Sequence, residues 1–138
     1  MNSILEVEER LSALIAGAPR AADAPGILRA AEEVLEHWVR ARGEVPTMDR
    51  YEEFRLLALH RQGARQLPSF NACRETCREL AYHHNLITLE PEHPETAARV
   101  RMMALLANHL CLFVTGKLQA EQLGEFCCAS RPLRADAG

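Results

Sequence analysis

A chain of 138 residues, 48% apolar and 25% charged, has the length of one domain and the composition of a folded protein, which excludes an intrinsically disordered one. Folding buries about two-thirds of the surface of such a chain, so a core forms without disulfide or metal staples. The net charge is −3, and five cysteines, an odd number with Cys127 and Cys128 adjacent, read as reduced thiols and not as a disulfide framework.

The segment Met1–Arg10 alternates acidic and apolar residues too early for a secretory signal. No apolar run approaches the roughly 18 residues of a membrane span. A cytoplasmic location and no membrane partner are therefore expected. Seven aromatic residues and seven glycines, against abundant Ala, Leu, Glu and Arg, favour helix over strand.

The first helix is signalled over residues 3–16. Ser3 and Glu6 have capping-box spacing, and Ile4, Val7, Leu11 and Leu14 recur at helical period until Gly17. This helix stands apart behind a small-residue loop and is expected to be peripheral or to pack on a partner. Pro25 suits the first turn of a second helix, whose apolar face is Leu28, Ala31, Leu35 and Trp38 and whose end is Gly43.

Thr47 after Pro46 is the expected cap of a third helix over 48–62. Ser69 after Pro68 caps a fourth over 69–84, which Asn85 ends. Residues 86–90 read as one short extended segment before the turn Pro91–Pro94. A fifth helix, 95–115, is apolar nearly all round and ends at Gly116, and a short sixth follows over 117–127. The expected architecture is an all-α compact bundle of five to six helices. Residues 1–130 form one domain and residues 131–138 a flexible tail.

Charge is uneven along the chain. Residues 1–49 carry nine acids and five bases, and residues 79–138 seven and five. Between them, residues 54–78 hold Arg55, Arg61, Arg65, Arg74 and Arg78 against Glu75 alone. A basic patch in an acidic protein suggests an anionic partner, and a solvated helix face is the plain alternative.

Helices 48–62 and 69–84 have the order of a helix-turn-helix unit. Asn71, Arg74 and Arg78 would then face base edges, with Arg61 and Arg65 against phosphates. The long turn, the neighbouring Glu75 and Glu79 and a pI near 6 count against DNA. Cys73, Cys77 and His84 share one helix face and, with Cys111 from an antiparallel fifth helix, could offer a soft metal-ligand set. Interleaved with Phe70 and Leu80, they also suit plain core packing.

Glu90 and His93, the one Glu-x-x-His pair, lie across prolines, so a carboxylate-bridged di-iron bundle is excluded. No phosphate loop, nucleophile elbow or catalytic triad spacing occurs. The expected function is a non-catalytic regulatory or adaptor protein without a cofactor, acting through protein–protein contacts as a homodimer. A helix-turn-helix transcription regulator is the alternative, and a thiol- or metal-responsive sensor the second.

Overall fold

The computed structural model describes residues 2–121. Among them are five α-helices and no strand: α1 (Ile4–Ala16), α2 (Ala24–Ala41), α3 (Arg55–Gly63), α4 (Arg74–Leu89) and α5 (Thr96–Ala120). The all-α bundle expected from periodicity is the fold.

Local chemistry accounts for the first boundaries. The Ser3 hydroxyl accepts the Glu6 amide at 3.1 Å, and the Glu6 carboxylate accepts the Ser3 amide at 2.8 Å. Val7 and Leu11 are the buried positions of α1. A 3-10 turn at Ala21–Asp23 leads into α2, with the Asp23 carboxylate accepting the Arg20 amide at 2.7 Å. Ile27, Ala30, Ala31, Val34, Leu35 and Trp38 bury the apolar face of α2.

The long α5 is the element against which α1, α2 and α4 pack. Arg101 of α5 donates to the Gly17 carbonyl at 2.9 Å, while Cys111 lies against the Ile4 carbonyl, so α1 runs antiparallel to it. Lys117 reaches Ser69, and Arg99 pairs with Glu90, so α4 is antiparallel to α5 as well. Contrary to the expectation that no segment suits a membrane span, α5 is by length and composition long and apolar enough to cross one. Here Val100, Met103, Ala104, Ala107, Leu110 and Val114 bury it against its neighbours.

Four expected boundaries are corrected. The third helix starts at Arg55, not at residue 48. Thr47 caps no helix: its hydroxyl accepts the Asp49 amide two residues on, at 3.0 Å, which makes a turn instead of a helix start. Glu52 and Glu53 then adopt φ of 51° and 72°, the left-handed region that interrupts a right-handed helix. The reversed segment is fastened by Gln62, which donates to the Val45 carbonyl and accepts the Thr47 amide, both at 2.8 Å.

The fourth helix is preceded by a 3-10 stretch, Pro68–Cys73, so its α-helical part begins at Arg74. Residues 86–89 continue α4 and are not extended, because Ile87 lands two helical turns beyond Leu80 and is buried with it. The helix stops at Glu90, where the following Pro91 excludes helical backbone. Gly116 does not end α5. Val114 and Leu118 on either side are buried, and that packing outweighs the roughly 1 kcal/mol by which glycine disfavours a helix interior. Residues 117–120 of the expected sixth helix therefore belong to α5. Its remainder and the tail at 131–138 lie outside the described residues.

Candidate anion-binding cleft

The residues Arg61, Arg65, Asn71, Arg74 and Arg78, which the sequence marks as a basic cluster, line one cleft of about 320 Å³ between α3 and α4. Leu57 and Ala64 line it too, as do two side chains with polar atoms, Tyr51 from the preceding turn and His60 at its inner wall. Arg61 lies in the last turn of α3 and Arg65 in the turn just beyond its end, while Arg74 and Arg78 lie one helical turn apart at the start of α4. The 3-10 stretch turns Asn71 toward them.

The four guanidinium groups are not equivalent. Arg65 pairs with Glu44 at 3.7 Å and Arg78 with Glu52 at 3.3 Å, both on the exposed rim, where such pairs contribute about 0–1 kcal/mol. Arg61 lies over the Tyr51 ring, 4.1 Å from its centre, which holds the charge in place without neutralising it. Among the described residues, no carboxylate lies within ion-pair distance of Arg61 or Arg74. A concave wall with unneutralised guanidinium donors has the chemistry of a phosphate or carboxylate receptor.

Arg55, counted in the same cluster, plays a different part. It donates to the Thr47 carbonyl at 2.8 Å and to the Glu36 carboxylate, with Arg29 on the other side of that carboxylate at 2.8 Å. Glu36 is only 3% exposed. Burial alone would raise its pKa, but the hydrogen bonds from Arg29 and Arg55 outweigh burial and lower it. This charge cluster fastens α3 to α2 and lies outside the cleft.

Behind the cleft wall, Cys73 and Cys77 are free and buried. The Cys73 thiol donates to the Phe70 carbonyl at 3.3 Å, and His60 Nε2 lies 3.3 Å from the same oxygen. A hydrogen bond from Cys77, reinforced by His60, brings the Cys73 thiol down to about 6 and pushes Cys77 upward. Burial raises Cys111 to about 11.

The expected metal set of Cys73, Cys77, His84 and Cys111 does not gather. Among the described residues no three His, Cys, Asp or Glu side chains are placed to hold a metal ion. Cys111 faces α1, 3.8 Å from the Ile4 carbonyl. His84 meets the edge of Phe54, with ring centres 5.7 Å apart, and its Nδ1 is buried without a partner. Burial lowers its pKa, disfavouring the charged ring there, and α4 runs a further turn beyond it.

His60 and Tyr51 are the site residues that the sequence did not mark. His60 shares the buried stripe of α3 with Leu56, Leu59 and Gly63, so its spacing reads as core. Tyr51 enters only because residues 48–54 form a turn. No protein-family model matches the chain, and no curated protein or solved structure matches it.

Proposed function

We propose that the protein is a non-catalytic regulatory module that takes a compact phosphate-bearing group of a partner protein into the cleft between α3 and α4. The observation that carries this reading is the unneutralised pair Arg61 and Arg74 facing one concavity, with Arg65, Arg78 and Asn71 around it. Guanidinium groups bind phosphate oxygens by paired, charge-assisted hydrogen bonds, each adding about 1.5–3 kcal/mol.

The rim decides between a compact ligand and a duplex. Glu44 and Glu52 border the cleft in their ion pairs, and Glu75 and Glu79 are exposed on α4 beside Arg74 and Arg78. A long polyanion laid across the cleft would meet these carboxylates, whereas one phosphate group inside it would not. Ten residues separate α3 from α4, longer than the three or four of a helix-turn-helix unit, which also disfavours major-groove reading by Asn71, Arg74 and Arg78.

The test is fluorescence anisotropy with two labelled probes, a phosphoserine peptide and a duplex of about 20 base pairs, each at several salt concentrations. Binding of the peptide, lost on dephosphorylation and on Arg74→Ala, supports the reading. Tight binding of the duplex with a steep linear fall against log salt, and none of the peptide, replaces it with the DNA alternative.

A second observation favours self-association. Ala98, Met102, Leu105, His109, Leu112 and Gly116 are all exposed on α5 and recur at intervals of four and three. That is the heptad spacing of a helix–helix seam, about 27 Å long. A two-fold axis between Leu105 and His109 sets Met102 of one copy against Leu112 of the other, so the seam is self-complementary and its occupant is a second copy of this chain.

A further inference from the structure

We infer that the cleft is one half of a two-part receptor, and that the concavity adjoining it at Tyr51 takes a second anionic group of the same partner segment. This rests on the phosphate reading of the cleft and extends it from one anionic group to two.

The second concavity has a volume of about 380 Å³. Tyr51, Arg61 and Arg65 line it as well as the first, so the stacked pair Arg61 and Tyr51 forms a wall common to both. Its other polar residues are Thr47, Asp49, Arg50 and Gln62. The turn that carries them is fastened before any ligand arrives. Gln62 holds the Val45 carbonyl and the Thr47 amide, Arg55 donates to the Thr47 carbonyl, and the Thr47 hydroxyl accepts the Asp49 amide. The left-handed Glu52 and Glu53 complete the reversal, and the Arg50 guanidinium donates to the Glu53 carbonyl at 3.3 Å. A binding surface ordered in this way loses less entropy when it is occupied.

Charge decides which group goes where. Among the described residues no carboxylate lies within ion-pair distance of Arg50, as with Arg61. Arg65 is taken up by Glu44, so Arg50 and Arg61 face Asp49 alone, an excess of one positive charge. The first cleft has two unneutralised guanidinium groups, Arg61 and Arg74, and is the stronger seat for a doubly charged phosphate. The second is the weaker anchor. Arg61 can serve both, since a guanidinium has five N–H donors and one bidentate contact uses two. One phosphate group cannot lie on both sides of the Arg61–Tyr51 wall, whereas an extended segment can. Its side chains two residues apart point the same way, about 6.6 Å from each other.

The experiment measures by fluorescence anisotropy how tightly the full chain binds labelled short peptides. One carries a single phosphoserine in an otherwise uncharged sequence. The others add a glutamate or a second phosphoserine at successive positions on either side. At the preferred spacing the second group should tighten binding about tenfold. A gain with glutamate makes a carboxylate sufficient, and a gain with phosphoserine alone makes the second group a phosphate; either supports the subsite. In Arg50→Gln, an exposed position, the gain should disappear, so that singly and doubly anionic peptides bind alike.

Arg20→Gln is the control for long-range attraction. Arg20 follows Gly17, which Arg101 binds, while Ser69 beside the cleft is reached by Lys117, about 24 Å further along α5. The gain should survive in Arg20→Gln. A singly phosphorylated peptide that binds with no gain at any spacing overturns the second subsite and leaves the phosphate cleft standing. A gain that is equal at every spacing and persists in Arg50→Gln does the same. Failure of every peptide to bind overturns both.

Discussion

The indole N–H of Trp38 donates to the carbonyl of Gly63 at 2.9 Å, tying the middle of the bundle to the last residue of α3. Trp38 is fully buried and stacks on Phe70, with ring centres 4.7 Å apart and planes 9° from parallel. Phe70 belongs to the 3-10 stretch that leads into α4, so this stack sets the distance between the two walls of the cleft. A Cβ at Gly63 would lie 2.7 Å from Trp38 Cδ1 and 3.2 Å from Phe70 Cε2, too close for either ring to stay in place. Gly63→Ala is therefore expected to destabilise the protein by about 1–3 kcal/mol, the cost of overpacking a core. Denaturant unfolding followed by the fluorescence of this single tryptophan measures it.

The second prediction concerns the charge cluster on α2. Glu36→Gln removes the more deeply buried of the two carboxylates that face the Arg55 guanidinium, Glu32 remaining at 3.5 Å, and should cost about 1.5–3 kcal/mol, the range for a hydrogen bond to a charged group. The pH dependence has a fixed sign. Glu36 holds its proton less tightly when folded than when unfolded, so its contribution is complete above the ordinary carboxylate value of 4.5 and is lost as pH falls through the lower folded value. Urea midpoints measured between about pH 6 and pH 3 should fall more steeply in the wild type than in Glu36→Gln.

The third prediction tests the outer face of α5. Leu105 is 42% exposed and central in the heptad stripe, so Leu105→Glu should change folding stability by less than about 0.5 kcal/mol. In a dimer it sets two charges against an apolar seam. Light scattering should give twice the chain mass of 15.5 kDa for the wild type and the single mass for Leu105→Glu. A wild type that is monomeric at all concentrations would remove the two-fold seam.

Sequence and structure agree where one short-range rule decides. Ser3 and Glu6 write the start of α1 in four residues, and the periodic apolar face of α2 is visible in its own letters. They part where a distant residue decides. Thr47 has the chemistry of a helix cap, yet Gln62, fifteen residues on, accepts the Thr47 amide and fixes a turn. Leu86 to Leu89 look extended in isolation and stay helical because Ile87 is drawn into the core.

The same division runs through the site. The arginine cluster is plain in the sequence, and four of its five members do share a cleft. That Arg55 is withdrawn from it depends on Glu36, nineteen residues away, which no local pattern could reveal. The cysteine pair was legible as a pair on one helix face. The histidine beside it is His60, which meets the same Phe70 carbonyl as Cys73, and not His84, since that is decided by how α3 packs beside α4.

Arginine side-chain NMR during titration with inorganic phosphate tests the cleft most directly. The Nε–H signals of Arg61, Arg65, Arg74 and Arg78 are expected to shift together and saturate, while those of Arg29 and Arg55, held by Glu36, stay fixed. Arg74→Ala is expected to weaken this binding about tenfold or more, the equivalent of about 1.4 kcal/mol. Shifts that grow linearly without saturating, or that affect all arginines alike, would contradict a phosphate site between α3 and α4.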